Sequence, residues 1–365
     1  MAKGFTLAVM PWVYLAKYYK KTEKWDGEYI EKPHKSAEEE AAMSEEERDK
    51  LLQQRNSFPE LPIVNYTTQY GLGCFEGLKA FPQPDGSWKV FRPDKNAERM
   101  HTSMKGLKMP ALPEQTFVDK VLELTKRNTE LGFGPSYDPA WEKNDFLDAE
   151  SIYFRPFTYA EPSVGLGLCE EPWVVFVASP VGAYFKPGNH AGLVTDKTRA
   201  TKNGTGWIKC DANYTISILA KKEAEAQGYM EALFLDGEEH TYVEEGSSSN
   251  IFFLMKDDTL VTPDLGDTIL PGVTRASLLT LAHNKGVKTE ERKVSIEEAM
   301  SEAKECFVSG TAAGLSYIES ITYNGKTVEF KNRQMGELAR DLLVTLKGIQ
   351  YGKVEDTHGW MFPVP

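Results

Sequence analysis

The segment Gly206-Trp-Ile-Lys-Cys-Asp-Ala-Asn-Tyr214 places a lysine between apolar residues and the start of a predicted helix. Trp207 and Ile208 would shield the amine of Lys209 from water, and desolvation lowers the pKa of a lysine toward its nucleophilic neutral form. Lysines beside apolar residues also commonly extend to solvent, so the segment by itself is compatible with either role. The pattern of strands and helices on both sides of this segment indicates the fold.

Strands and helices alternate after this segment, whereas the first half of the chain mixes short strands with isolated helices. In the first half, strands are predicted at 151–157 and 173–177, and a helix is predicted through Phe117, Val121, Leu124 and Leu131. In the second half, strands are predicted at 231–235, 251–254 and 305–308, and helices at 213–227, 274–284 and 336–346. This pattern predicts an α/β protein of mixed α+β character.

The chain is long enough for two domains. Its 365 residues exceed the size at which a single hydrophobic core usually stops growing, roughly 250 to 300 residues. Residues 179–188 contain two prolines and two glycines, which is typical of a linker. We therefore predict a smaller N-terminal α/β domain at 1–178, a linker at 179–189 and a larger C-terminal α/β domain at 190–365.

The composition excludes several classes of partner. Hydrophobic residues make up 41% and charged residues 26%, as in ordinary soluble globular proteins. The net charge of −12 argues against a nucleic-acid surface and against a basic face for anionic lipid. Four cysteines without a CxxC pair fit a reducing compartment, so we expect a cytoplasmic protein. No apolar run reaches the roughly 20 residues that a membrane helix needs.

Two segments near the N-terminus need separate interpretations. The apolar stretch from Phe5 to Ala16 is interrupted by Pro11 and followed by lysines, which favours a buried first strand over a signal segment. Residues 36–55 are rich in charge, and Ser44 with Glu47 predicts a capping box. We interpret this insertion as a short solvated helix without chemistry.

Several common sites are absent from the sequence. It contains no Walker-type loop, no H-E-x-x-H and no G-x-S-x-G, and its six histidines lack the spacing of metal ligands. No metal site is therefore predicted. Gly71, Gly73 and Gly77 resemble a dinucleotide loop, but their spacing is wrong and Phe75-Glu76 replaces the expected start of a helix.

The remaining groups suit pyridoxal 5'-phosphate, which needs a lysine, an anion near its ring nitrogen, a donor to its phenolate and an anion cradle. Glu244 or Glu245 offers the carboxylate. Backbone N–H groups for a phosphate are offered by Leu270-Pro-Gly-Val-Thr-Arg275 and by Ser309-Gly-Thr-Ala-Ala-Gly314. Each of these segments would serve equally well as an ordinary turn or helix start. Candidate anion binders, with surface salt bridges as the alternative, are Arg92, Arg99 and Arg155.

Seven blocks occur in order along the chain: Tyr70-Gly-Leu-Gly-Cys-Phe-Glu-Gly-Leu-Lys-Ala-Phe81, Phe91-Arg-Pro with Asn96 and Arg99-Met100, Tyr153-x-Arg155-Pro, Glu161-Pro-Ser, Lys209 with Asn213-Tyr214, Leu270–Arg275 and Ser309-Gly-Thr-Ala312. Together they resemble the pattern of branched-chain amino acid aminotransferases, from about Pro62 to the C-terminal helix. The resemblance implies the two-domain class IV fold, like that of D-amino-acid aminotransferase. It also implies pyridoxal 5'-phosphate as cofactor, a homodimer, and reversible amino transfer between leucine, isoleucine or valine and 2-oxoglutarate.

The resemblance also implies roles for individual residues. Lys209 should bind the cofactor covalently and move the proton, Tyr214 should hydrogen-bond its phenolate, and Glu245 should pair with its ring nitrogen, or Glu244 if the loop is shifted. The phosphate should be held by Arg99, Val273, Thr274 and Thr311. The substrate α-carboxylate should be held by Tyr153 and the amides of Thr311 and Ala312, and the second carboxylate of glutamate by Arg155. An apolar side-chain pocket should be lined by Tyr70, Phe75 and Tyr184.

This sequence departs from the family pattern at three places. Asp211 and Ala212 stand where the family commonly has two glycines, the acidic insertion before Phe58 is unusual, and Ala313 and Ser316 replace a CxxC pair that some members carry. A thiol switch is therefore not expected. The alternatives are a D-amino-acid or (R)-amine transaminase or an aminodeoxychorismate lyase of the same fold, or a non-catalytic phosphate-ligand binding protein. The Tyr153 and Phe75 blocks favour the branched-chain group, and the retained lysine, glutamate and tyrosine favour catalysis.

Overall fold

A computed structural model of the protein describes residues 7–182 and 188–365. The chain divides into two compact units. Within the described residues, the first unit comprises 7–182, 210–212 and 348–365, and the second comprises 188–209 and 213–347. The predicted C-terminal domain at 190–365 therefore included two segments that pack with the first unit.

The strands, numbered along the chain, are β1 Trp12–Tyr19, β2 Lys24–Glu31, β3 Leu78–Pro82, β4 Trp88–Phe91, β5 Ser151–Tyr159, β6 Trp173–Val181, β7 Ala191–Val194, β8 Glu231–Leu235, β9 Val243–Gly246, β10 Asn250–Met255, β11 Leu260–Thr262, β12 Thr289–Glu291, β13 Ala303–Gly310, β14 Gly314–Ile318, β15 Ser320–Tyr323, β16 Lys326–Glu329 and β17 Met361–Pro363. The helices are α1 Ala37–Ala41, α2 Glu45–Arg55, α3 Tyr66–Tyr70, α4 Pro93–Gly106, α5 Glu114–Glu130, α6 Asn213–Ala226, α7 Val273–Asn284, α8 Ile296–Glu302 and α9 Glu337–Gln350. Short 3-10 turns occur at Pro139–Asn144 and Lys331–Arg333.

The first unit is built on a seven-stranded antiparallel sheet with the order β17-β4-β3-β5-β6-β1-β2. Side chains of β5 alternate between the core and a partly exposed face, as the period of a strand requires. Helix α5 buries Phe117, Val121 and Leu124, as predicted, but it ends at Glu130, and the fourth predicted residue, Leu131, is its partly exposed C-cap.

The ends of this sheet differ from the sequence interpretation. The apolar N-terminal stretch becomes strand only from Trp12 onward, because the preceding Pro11 has no N–H to donate to a neighbouring strand. The predicted linker begins inside β6, which continues to Val181. The last strand, β17, pairs with β4 and is the reason why the C-terminal segment belongs to the first unit.

The second unit is built on a ten-stranded mixed sheet. Its main path has the order β12-β11-β10-β9-β8-β7-β15-β16, and β13 pairs with β10 and with β14. Strand β10 is buried along its whole length, with Phe252 and Phe253 fully inside, as expected of a strand covered on both faces. Its first residue, Asn250, lies opposite Ser309 of β13 and Glu245 of β9. At the beginning of β10, the segments that contain Asn250, Glu245 and Ser309 therefore lie next to one another.

The charged insertion forms two helices, α1 and α2, and the capping box of Ser44 and Glu47 is confirmed. Most residues of the insertion are exposed, as interpreted, but Arg55 is only 2% exposed. Arg55 pairs with the buried carboxylate of Glu40. It also donates to the carbonyl oxygens of Pro33 at 2.9 Å and Val9 at 3.2 Å. Arg55 therefore anchors the insertion to the first unit.

No helix in the part of the chain that the structure describes has the length and apolar character to cross a membrane.

We expect Arg55→Met to lower the free energy of unfolding by about 3 kcal/mol or more, because it leaves the Glu40 carboxylate buried without its cation. The matched control on the same helix is Lys50→Met, which breaks an exposed pair with Glu46 and should have no measurable effect. Urea unfolding of both variants checks the prediction. Equal losses would show that the insertion is held by something other than this buried pair.

Candidate active site

Lys209 and Tyr214 are held together at the start of α6. The Nζ of Lys209 donates to the Oη of Tyr214 at 2.8 Å. The turn that carries the lysine is fixed by Asn213, whose amide donates to the carbonyl oxygens of Thr205 at 2.7 Å and Ile208 at 3.1 Å. The Oγ1 of Thr205 donates back to the Asn213 side chain at 2.7 Å. These hydrogen bonds therefore fix the turn that carries Lys209.

Glu245 is a buried carboxylate near this lysine. Its Oε1 accepts hydrogen bonds from the Asn250 amide at 2.8 Å and from the Leu270 N–H at 2.9 Å. Its Oε2 lies 2.7 Å from a guanidinium nitrogen of Arg199. Burial raises the pKa of Glu245 to about 7, while the positive charges of Arg199 and Lys209 oppose this rise. A carboxylate in such surroundings is well suited to hold a proton on a partner nitrogen.

Glu244 occupies a different environment, since neighbouring residues of a strand point to opposite faces. Its Oε1 accepts a hydrogen bond from the Thr268 hydroxyl at 2.5 Å, and its Oε2 is buried without a partner. Burial raises the pKa of Glu244, and the Thr268 hydrogen bond and the charge of Arg199 oppose this rise. The two carboxylates therefore have different partners, and the charge of Lys209 acts on Glu245.

The N-terminus of α7 lies beside the same network. Its N-cap, Gly272, provides no side-chain hydrogen bond, so the first-turn amides of Val273 and Thr274 have no side-chain cap. A side chain at Gly272 would overlap the Asn250 amide oxygen, which explains the glycine at this position. The uncapped amides and the helix dipole together favour an anion here.

The turn from β13 to β14 carries Thr311 and Ala312. Ser309, two residues before Thr311, lies opposite Asn250 in the sheet. Among the described residues, the hydroxyl of Ser309 has no hydrogen-bond partner, and it is buried. An orphaned buried hydroxyl costs free energy unless a ligand or water satisfies it, so its presence beside the α7 N-terminus fits a polar ligand.

Tyr153 and Arg155 lie side by side on β5 of the first unit, as their spacing predicts. The guanidinium of Arg155 donates to the Oη of Tyr153 at 2.7 Å and lies 4.5 Å from the ring centroid of Phe75. The Nε of Arg155 is buried and has no hydrogen-bond partner in the part of the chain that the structure describes. A side chain at Gly77 would overlap the Tyr153 hydroxyl, so this glycine makes room for it. The cluster combines a cation, a hydroxyl and an aromatic face.

Arg99 is bound by a carboxylate that the sequence interpretation missed. Its Nε lies 2.7 Å from Oε1 of Glu76, and a terminal nitrogen lies 2.9 Å from Oε2 of the same residue. Asn96 donates to Glu76 at 2.8 Å, and the Glu76 N–H donates to the carbonyl oxygen of Pro156 on β5. This bidentate pair orients Arg99 next to the Phe75 segment.

Other predicted residues lie elsewhere. Tyr70 ends α3 with 47% of its surface exposed, and its ring packs against Tyr66 at 6.3 Å. Arg92 lies over the ring of Trp360 at 5.1 Å, and burial lowers its pKa. A guanidinium in that position stabilises the packing of the C-terminal segment. Tyr184 lies outside the described residues.

Asp211 was noted only as a departure from the family pattern, yet it occupies a defined place in the first unit. Its N–H donates to the carbonyl oxygen of Gly73 at 2.9 Å. Burial raises the pKa of Asp211 to about 6, and the charge of Arg155 opposes this rise. The sequence signal that could have indicated this residue was a carboxylate at a position where the family commonly has glycine.

Known proteins of one family are similar to this chain. The amino-transferase class IV family model matches residues 73–321. A branched-chain-amino-acid aminotransferase of Mycobacterium tuberculosis (strain ATCC 25618 / H37Rv) is 38% identical over 314 residues, which cover 83% of this chain and 82% of that protein. The branched-chain aminotransferase of the thermophilic archaeon Thermoproteus uzoniensis, solved with norvaline, has a TM-score of 0.72 and 27% identity, covering 98% of this chain and all of that one. A T.th. branched-chain amino acid aminotransferase, solved with N-(5'-phosphopyridoxyl)-L-glutamate, has a TM-score of 0.68 and 25% identity, covering 84% of this chain and 94% of that one.

We expect Arg199→Met to destabilise the apoprotein more at about pH 8.5 than at about pH 5.5. Without Arg199, the pKa of Glu245 rises further above 7, so its carboxylate takes up a proton easily at the lower pH only. The loss in the free energy of unfolding should reach about 3 kcal/mol at the higher pH. Urea unfolding at both pH values checks this.

The control is the double variant Arg199→Met with Glu245→Gln, in which the extra loss at high pH should disappear. A loss that is the same at both pH values in the single variant would mean that Arg199 stabilises the unit through its carbonyl contacts with Gly206 and Thr268.

Proposed function

The chain belongs to the amino-transferase class IV family, and from that premise we propose that it is a branched-chain amino acid aminotransferase. The reaction is reversible amino transfer between leucine, isoleucine or valine and 2-oxoglutarate, which gives branched 2-oxo acids and glutamate. Relatives and solved structures that share its sequence and fold carry the branched-chain name, which supports this substrate class over D-amino acids or (R)-amines.

The same proposal includes pyridoxal 5'-phosphate as the cofactor, which supplies an electron sink when it is bound. The buried Glu245 carboxylate, the uncapped start of α7 and the unpartnered Ser309 hydroxyl fit its charged groups. The residues that would hold it are Lys209, Tyr214, Glu245, Val273, Thr274, Thr311 and Arg99.

Lys209 is the catalytic residue of this proposal. Its amine, oriented by Tyr214, takes the proton from the substrate α-carbon at Nζ and returns it in the second half of the transfer. Glu245 would hold a proton on the ring nitrogen of the cofactor, because a buried carboxylate with a raised pKa is stabilised by such a proton. Arg199 keeps Glu245 from being protonated itself by contributing an opposing positive charge.

One set of residues must recognise two kinds of substrate side chain, a branched apolar one and one that carries a second carboxylate. The observation that carries the substrate proposal is the Arg155 guanidinium lying on the ring of Phe75, with its Nε buried and unpartnered. Such a group accepts an apolar side chain against its aromatic neighbour and a second carboxylate on its donor fork. The family resemblance implies that Tyr153 and the amides of Thr311 and Ala312 bind the α-carboxylate of the substrate. It also implies that Tyr70 and Tyr184 belong to the apolar pocket.

A cytoplasmic homodimer completes the proposal. The four cysteines, Cys74, Cys169, Cys210 and Cys306, are buried, and no disulfide joins them in the described part of the chain, which fits a reducing compartment. The dimer rests on the family resemblance.

We expect Lys209→Ala to abolish both the visible absorbance of the loaded enzyme and essentially all amino transfer, because no other group replaces its amine. The matched control is Lys202→Ala, an exposed lysine paired with Glu238, which should keep both. Absorbance titration with the cofactor and a leucine assay with 2-oxoglutarate check this. Wild-type turnover in Lys209→Ala would refute the assignment.

We expect Arg155→Met to weaken 2-oxoglutarate and glutamate by about 2 to 3 kcal/mol in kcat/KM, the scale of a charge-assisted hydrogen bond. Leucine and its 2-oxo acid should lose much less. Single-turnover half-reactions with each substrate separately provide the measurement. An equal loss for leucine and glutamate would make Arg155 structural or assign it to the shared α-carboxylate.

A further inference from the structure

Asp211 places a carboxylate where it touches the segment that supports Arg155. The backbones of Cys210 and Cys74 pair as an isolated antiparallel β-bridge. This pairing brings the segment 210–212 against Gly73 in the first unit. The Asp211 carboxylate lies so close to Gly73 that any side chain at Gly73 would overlap it. Gly73 is two residues before Phe75, on whose ring the Arg155 guanidinium lies.

The two charges act on each other through space. The charge of Arg155 acts on Asp211, and no hydrogen bond joins the two side chains among the described residues. Cys74 is a titratable neighbour, and burial holds the pKa of its thiol well above the usual value, so this group stays neutral. Asp211 is therefore a counter-charge of Arg155 that does not occupy its donor fork.

A carboxylate in this position distinguishes the two kinds of substrate. An apolar side chain leaves the charge of Arg155 unmatched by substrate, and a nearby anion then stabilises it. A substrate with a second carboxylate brings a like charge close to Asp211, and like charges at short range favour protonation of one of them. The two substrates thus prefer different protonation states of the same group.

We propose that Asp211 is a specificity-determining residue, which balances Arg155 while a branched side chain is bound and takes up a proton from solvent when the second carboxylate of glutamate or 2-oxoglutarate pairs with Arg155. This inference rests on the proposed function. It predicts a preference between substrates that depends on pH.

The sign of the pH dependence follows from the raised pKa of Asp211. Because burial raises the pKa of Asp211 to about 6, the residue is mostly charged above this pH and mostly protonated below it. When Asp211 is charged, binding of the dicarboxylate requires the uptake of a proton. When Asp211 is already protonated, it does not. The preference for 2-oxoglutarate over the 2-oxo acid of leucine should therefore fall as pH rises above about 6. Effects of pH on groups common to both reactions cancel in this ratio.

The experiment compares the kcat/KM ratio of 2-oxoglutarate to the leucine 2-oxo acid in half-reactions of the holoenzyme between about pH 5.5 and 8.5. In Asp211→Asn, which keeps the shape and removes the charge, the ratio at high pH should rise about tenfold, as expected for two like charges at intermediate separation. Its slope with pH should disappear. Asp211→Glu, which keeps the charge, should retain the slope, and the exposed control Asp49→Asn on α2 should match wild type.

The outcomes separate this inference from the proposed function. Wild-type protein that transfers no amino group from leucine to 2-oxoglutarate refutes the proposed function. Active wild type with an unchanged ratio in Asp211→Asn, or with an equal loss for both substrates, overturns the role of Asp211 alone.

Discussion

The side-chain amide of Asn250 donates one hydrogen bond to the buried carboxylate of Glu245 and another to the carbonyl oxygen of Leu270. Asn250 also lies opposite Ser309 in the sheet and leaves no room for a side chain at Gly272. The carboxylate, the start of α7 and the β13–β14 turn are therefore positioned by one residue at the beginning of a fully buried strand. A site built on such a strand is held more accurately than one built on loops.

Buried charges in both units follow a common rule. Glu245 is paired with Arg199, Arg99 with Glu76, and the charge of Arg155 is opposed by Asp211 from a distance. Each of these pairs compensates desolvation that a single charge could not tolerate. The first two hold their partners through direct contacts. Arg155 differs, because part of its donor capacity is left unpaired.

The sequence predicted those features that depend on local periodicity. The shared face of Tyr153 and Arg155 follows from the period of a strand, and the buried face of α5 follows from the period of a helix. The Ser44 capping box is likewise a local pattern. These features need no knowledge of distant residues.

Features that depend on contacts between distant segments could not be predicted in the same way. Glu76 and Arg99 are 23 residues apart, and the pairing of β17 with β4 joins the C-terminal segment to a strand at Trp88–Phe91. Asp211 appeared as a mere substitution until its contact with Gly73 was visible. Lys209 itself was ambiguous from its neighbours, and only the order of the surrounding blocks assigned it a role.

The central claim is that Lys209 is the residue to which pyridoxal 5'-phosphate is attached. The most direct test is to incubate the purified protein with the cofactor, reduce it with borohydride and locate the label by peptide mass spectrometry. We predict that the stable pyridoxyl group is found on the peptide containing Lys209. A label on another lysine such as Lys202 or Lys347, or no label at all, would contradict the claim.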